Sequence, residues 1–100
     1  MTSPQDKRTA TPSYRAEHQR DVVNRLKRIE GQVRGLIEMV ESGRSCEEVA
    51  QQMAASRKAM DKAFYRMMAC SVMEAVTESA SEDVALREVE RSTRILEKYA

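Results

Sequence analysis

The sequence predicts an all-α protein with three helices per chain, on three observations. Breakers are confined: the only prolines are Pro4 and Pro12, and the only glycines are Gly31, Gly35 and Gly43. Aromatic residues are scarce and Trp is missing, while seven Met and many Ala suit helix-on-helix packing better than a sheet. Finally, apolar residues recur in alternating steps of 4 and 3, the spacing of a seam that packs on a partner helix.

Residues 1–15, rich in Thr, Ser, Pro and Gln and without periodicity, are expected to be a mobile tail, leaving 16–100 as one helical domain. The first helix is expected from about Glu17 to Ser42, with Val22, Leu26, Ile29, Val33, Leu36 and Val40 as its seam. Gly43 stops it, being suited to the left-handed C-cap position. Ser45-Cys46-Glu47-Glu48 then has the form of a capping box that opens the second helix at Cys46.

That helix meets no breaker until about Ser79, and Val49, Met53, Ser56, Met60, Ala63, Met67 and Cys70 repeat the 4-and-3 spacing. Thirty-three residues at about 1.5 Å each extend for roughly 50 Å, far more than a 100-residue globule can cover. Ser79-Ala80-Ser81-Glu82 offers another capping box, opening a short third helix through Leu86, Val89, Thr93 and Leu96. Two long seams on helices of unequal length call for a second copy of the chain. An antiparallel four-helix bundle formed by two chains satisfies them.

The net charge is +1, but it is unevenly spread. Between residues 20 and 34, Arg20, Arg25, Lys27, Arg28 and Arg34 face only Asp21 and Glu30, and Arg57, Lys58, Lys62 and Arg66 outweigh Asp61. Such local excess suits a polyanionic partner, while solvated i to i+4 pairs such as Glu30–Arg34 are the plainer reading. Gly31 and Gly35, one turn apart, imply close approach either of another backbone or of a phosphate chain.

No apolar run reaches the length of a membrane span, and no signal-peptide core follows the start, so a cytoplasmic protein with no membrane partner is expected. There is no Ser/His/Asp arrangement and no phosphate loop, so the chain is not expected to be an enzyme.

Two cysteines without an export signal imply reduced thiols rather than a structural disulfide. Cys46 at a helix N-terminus sits where amide dipoles favour the thiolate, with Glu47 and Glu48 opposing them. Cys70 lies 24 residues further on, about 36 Å along the same helix, so the two cannot meet in one chain. If two copies of helix 2 pack antiparallel and cross near Lys58, Cys46 of one falls beside Cys70 of the other. Cys70 as a small core residue is the alternative. Two Cys and one His exclude a closed zinc site within a chain, whereas Cu(I) tolerates two thiolates. His18 is most simply a solvated surface residue, with a ligand role as the alternative.

The run NRLKRIEGQVRG (Asn24 to Gly35), followed after a short glycine-containing turn by a cysteine opening a long helix, resembles the CsoR/RcnR family of bacterial transcriptional repressors. The resemblance extends without gaps from about His18 to Thr77. It implies antiparallel bundle dimers pairing into flat homotetramers, and operator DNA bound without a helix-turn-helix. Release follows binding of Cu(I), Ni(II), formaldehyde or reactive sulfur, depending on the branch. The family's first cysteine falls on Cys46. The copper branch has His and Cys where this chain has Ser71 and Ala75, and Tyr where it has Ser45. The sulfur-sensing branch has Cys at the place of Ala75, and the nickel and formaldehyde branches have His at the place of Ser71. A three-coordinate copper site is therefore not expected.

The resemblance places Arg25, Arg28, Arg34, Lys58 and Lys62 at positions that are basic in many relatives, and so implies DNA contacts there. The expected function is a repressor released from its operator by thiol chemistry at Cys46 with a persulfide, oxidant or electrophile, bridging to Cys70 of the partner chain. No cofactor is required on this reading. The alternatives are a Cu(I)-responsive repressor using Cys46 and Cys70 with His18, and a helical adaptor that binds no DNA.

Overall fold

The structure is a computed structural model that describes the backbone of residues 3–100 and the side chains of 15–100. Three helices follow one another: α1 Ser3–Glu41, α2 Cys46–Glu78 and α3 Glu82–Tyr99. The backbone of α1 begins ahead of the expected start near Glu17, with Pro4 in the first turn, where a missing amide donor is no loss. The expected tail falls almost entirely on residues whose side chains lie outside those described.

The turn after α1 is built as its glycine requires. Gly43 takes φ 81°, its amide donates to the Val40 carbonyl (3.2 Å), and the Arg44 amide donates to the Met39 carbonyl (3.0 Å). This pair of bonds is a Schellman motif, which closes off orphan carbonyls of the last turn. Two residues later Ser45 caps α2: its hydroxyl accepts from the Glu48 amide (3.1 Å), and the Glu48 carboxylate accepts from the Ser45 amide (3.4 Å). The second expected box is shifted. Ser79 instead closes α2, its hydroxyl donating to the Ala75 carbonyl, and Ser81 in extended backbone caps α3 by accepting from the Val84 amide (3.2 Å).

α1 and α2 form an antiparallel hairpin, and α3 packs on α2 alone; among the described residues α1 and α3 do not touch. The Cα trace measures 56 × 38 × 13 Å, with a radius of gyration of 18.6 Å, against about 13 Å for a compact domain of this length. A thickness of 13 Å is one layer of helices, so the inner faces have cover on one side only.

The expected seams divide accordingly. On α1, Val22 and Ile29 are buried and Leu36 half-buried, whereas Leu26, Val33 and Val40 are exposed: Ile29 keeps 5 % of its surface and Val33 45 %. On α2, Val49, Ala63 and Cys70 are buried against exposed Met53, Met60 and Met67, with Ala63 at 3 % and Met60 at 46 %. Each 4-and-3 seam is thus two stripes of period seven side by side, one facing the neighbouring helix and one facing outward.

Candidate nucleic-acid interface and sensor thiols

The hairpin register brings together basic residues that are far apart in sequence. Arg25, Arg28, Ile29 and Gln32 of α1, with Ala55, Lys58, Ala59 and Lys62 of α2, line an open cleft of about 320 Å³. A second cleft of about 330 Å³ adjoins it through the shared Arg25 and Lys62 and adds Tyr65, Arg66 and Ala69. Four of the five expected contact residues therefore share one groove. Arg34 does not line it. Nine residues after Arg25, at about 100° each, Arg34 points from the opposite side of α1. Arg66, absent from the expected set, belongs to the groove.

Asp21 sets the register at this end. Its Oδ2 accepts from Arg25 Nε at 2.8 Å on the same helix and pairs with Arg66 Nε at 3.0 Å across the hairpin. The Arg25 hydrogen bond holds the Asp21 carboxyl below its usual range, against an opposing desolvation and with help from the fields of Arg25, Arg66 and Arg28. Arg15 and Glu74 make the next cross-helix pair toward the open end. Among the described residues no backbone of another element approaches the two helical glycines. A Cβ at Gly31 would meet only the Arg34 side chain at 4.0 Å, and one at Gly35 would meet nothing.

The two thiols differ sharply. Cys46 is exposed in the first turn of α2, beside the Arg44–Glu48 ion pair of 2.8 Å that ties the capping carboxylate down. That pair, reinforced by the Ser45 amide, lowers Glu48 to about 2. Cys70 is buried on the face toward α1, and desolvation, followed by the field of Glu74, raises its thiol pKa. A raised pKa keeps Cys70 protonated and a poor nucleophile at neutral pH. Both thiols lie on one straight helix, so they are about 36 Å apart within the chain.

The positions where the resemblance leads one to look for ligands serve packing instead. Ser71 Oγ lies 2.9 Å from Ser92 Oγ of α3, and Ala75 is buried. Among the described residues no three Cys, His, Asp or Glu side chains converge as a metal site. His18 departs from the surface role expected of it: it is half-buried, and its Nδ1 is enclosed without a hydrogen-bond partner among the described residues.

A family model described as metal-sensitive transcriptional repressor matches residues 18–98, which span both clefts, both thiols and α3 to its last turn. The chain belongs to this family of metal-sensitive transcriptional repressors. Among curated proteins it is similar to the copper-sensing transcriptional repressor CsoR of Bacillus subtilis (strain 168), at 45 % identity over 51 residues, half of each chain. The chain thus spans about half the length of the curated relative it matches. Among solved structures it is similar to a variant of the formaldehyde-responsive regulator FrmR from Salmonella enterica serovar Typhimurium. That likeness has a TM-score of 0.71 at 26 % identity and covers 84 % of this chain and 96 % of the other.

Within the metal-sensitive repressor family the three-helix, all-α fold is the expected one, and the family consists of regulators rather than enzymes. Among the described residues no helix is long and apolar enough to cross a membrane. This family member departs from the expected ligand pattern through the Ser71–Ser92 pair and the buried Ala75.

Proposed function

We propose that this chain is an operator-binding repressor whose affinity for DNA is switched by chemistry at the Cys46 thiol. The observation that carries the DNA half is the groove in which Arg25, Arg28, Lys58 and Lys62 gather along the hairpin. Cations lining a continuous groove would meet backbone phosphates, which set affinity and register and make binding salt-dependent. Family membership supports the same reading.

The assembly is part of the proposal. The outward stripes Leu26, Val33, Val40 and Met53, Met60, Met67 form an apolar surface that a second copy of the hairpin covers, giving a four-helix bundle dimer, with pairing into a tetramer on the family pattern. On α2 the groove residues Lys62 and Arg66 lie about 100° to 160° around the helix from Met60 and Met67, so dimerisation leaves the groove open.

Cys46 is the reacting group because it is exposed, whereas Cys70 is buried with a raised thiol pKa. Toward a persulfide RSSH, the Cys46 thiolate attacks the outer sulfur. The S–S bond breaks, RSH leaves with the electron pair and a proton, and Cys46 becomes a persulfide. The persulfide at Cys46 is then itself the switch, because Cys70, buried on the face toward α1 with a raised thiol pKa, is a poor resolving nucleophile. The modified dimer must favour the arrangement that binds DNA less well, because only differential stabilisation moves an equilibrium. Bound Cu(I) is a second reading, supported by the enclosed, unpartnered His18 Nδ1 and by the copper-sensing relative.

A gel-shift series with the duplex directly upstream of the chain's own gene, run against an unrelated duplex at rising salt, tests the DNA half. Preferential, salt-sensitive retardation is expected. Equal indifference to both duplexes would leave the adaptor reading in its place.

A further inference from the structure

We propose that Asp21 is a positioning residue that braces Arg25 and Arg66, one on each helix, into a clamp for a single DNA phosphate. The inference rests on the operator-binding reading and extends it to two residues that reading does not use. Its basis is the geometry of one oxygen. Asp21 Oδ2 faces Arg25 Nε at 2.8 Å and Arg66 Nε at 3.0 Å, so one carboxylate atom holds two guanidinium groups from opposite sides of the hairpin.

A guanidinium carries five N–H donors, of which Nε supplies one. Arg25 spends that one on a hydrogen bond to Asp21, Arg66 faces the same oxygen as an ion pair, and neither makes another ion pair among the described residues. Four N–H donors on Arg25 and all five on Arg66, drawn together by the shared oxygen, are left for an anion. The two arginines, with Lys62, line the cleft of about 330 Å³, in which Asp21 itself takes no part. A phosphate diester offers two unesterified oxygens, one for each arginine, and paired Arg–phosphate hydrogen bonds are charge-assisted and geometrically specific. Lys62, on a flexible stem, adds a point charge. The Arg25 hydrogen bond keeps the Asp21 carboxyl below its usual range.

The rival is that Asp21 is an ordinary interhelix ion pair that only subtracts charge from the groove. The two differ in sign. Removing a carboxylate from a DNA-binding face adds net positive charge, which by itself tightens binding; removing a brace loosens the clamp. The experiment is fluorescence anisotropy with a labelled duplex of the upstream promoter across a salt series. The proteins are wild type, Asp21→Ala, Asp21→Glu, Arg66→Gln and Lys62→Gln, each first checked for helicity and assembly state.

Asp21→Ala is expected to weaken binding roughly fivefold despite its added charge, and Asp21→Glu to recover part of the loss. Arg66→Gln is expected to lower the slope of log K against log salt by about 0.9 for each cleft that holds a phosphate. Binding by Asp21→Ala that equals or exceeds wild type, or an unchanged slope in Arg66→Gln, overturns the clamp. Arg66 is an exposed side chain, so its variant decides the matter even if Asp21→Ala fails to fold. In either overturning case wild type still binds and Lys62→Gln still weakens, leaving the operator reading intact. No binding by wild type sinks that reading and the clamp with it.

Discussion

The hydroxyls of Ser71 and Ser92 lie 2.9 Å apart and join α2 to α3. Ser71 stands where the resemblance to the copper, nickel and formaldehyde branches leads one to look for a histidine. Its side chain is committed to fixing the third helix, and Ser92 is the buried polar residue of α3. Ser71→Ala therefore leaves a buried hydroxyl without its partner. A loss of about 1 kcal/mol in stability is expected from urea unfolding of the assembled protein at fixed concentration. No change would mean that the Ser92 hydroxyl finds another acceptor.

The thiols are expected to react in a fixed order. With the folded, reduced protein at neutral pH, iodoacetamide should alkylate Cys46 and spare Cys70, because the latter is buried and its thiol pKa is raised. Denaturation should make the two equivalent. Peptide mass spectrometry after short exposure reads this directly, and first labelling at Cys70 would reverse the assignment of the sensing thiol.

The start of α2 is expected to loosen in acid. Glu48 is lowered from its ordinary 4.5 to about 2 by Arg44 and by the Ser45 amide. With the folded value depressed, the stabilisation is complete above about 4.5 and disappears as the pH falls through about 2. Amide exchange at Val49 and Ala50, compared between wild type and Glu48→Gln, should converge as the pH drops through that window. A difference that persists below it would assign the cap to something other than the ionised carboxylate.

A charge introduced on the outward stripe is expected to break the assembly. Met60→Glu places a charge where 46 % of an apolar side chain is open to a second copy. Light scattering should show a smaller particle, with helicity reduced because the one-layer hairpin loses its cover. An unchanged particle mass would put the interface on another face.

Among the basic residues, Arg25→Gln and Lys62→Gln should each weaken promoter binding and reduce the salt slope, by about 0.9 for every phosphate that is no longer neutralised. Arg34→Gln should do so least, since Arg34 does not line the groove. Equal effects at all three positions would mean that DNA contacts both sides of α1.

What was legible in the sequence follows the range of each interaction. The Ser45–Glu48 box and the Gly43 turn are set by residues within a few positions of one another, so spacing and residue type sufficed. The 4-and-3 seams announced that α1 and α2 pack. They did not say which half of each seam faces inward, because stripes such as Ile29/Leu36 and Leu26/Val33 lie within one helix face. The Asp21–Arg66 pair depends on hairpin register and has no local trace, although Asp21–Arg25 at i to i+4 was open to view. The misplaced cap came from two serines in a row of four residues, where Ser79 closes one helix and Ser81 opens the next. Arg34 was carried into the DNA set by resemblance alone, and counting 100° per residue from Arg25 would have set it apart.

The most direct test joins both halves of the proposed function. Reduced wild type and Cys46→Ser are each titrated onto the labelled upstream duplex before and after treatment with sodium polysulfide. The expected result is equal binding by both reduced proteins, loss of affinity by treated wild type, and recovery on reduction, with Cys46→Ser unaffected. Release of Cys46→Ser by the same treatment, or wild type that stays bound with Cys46 persulfidated, would contradict a repressor switched at that thiol.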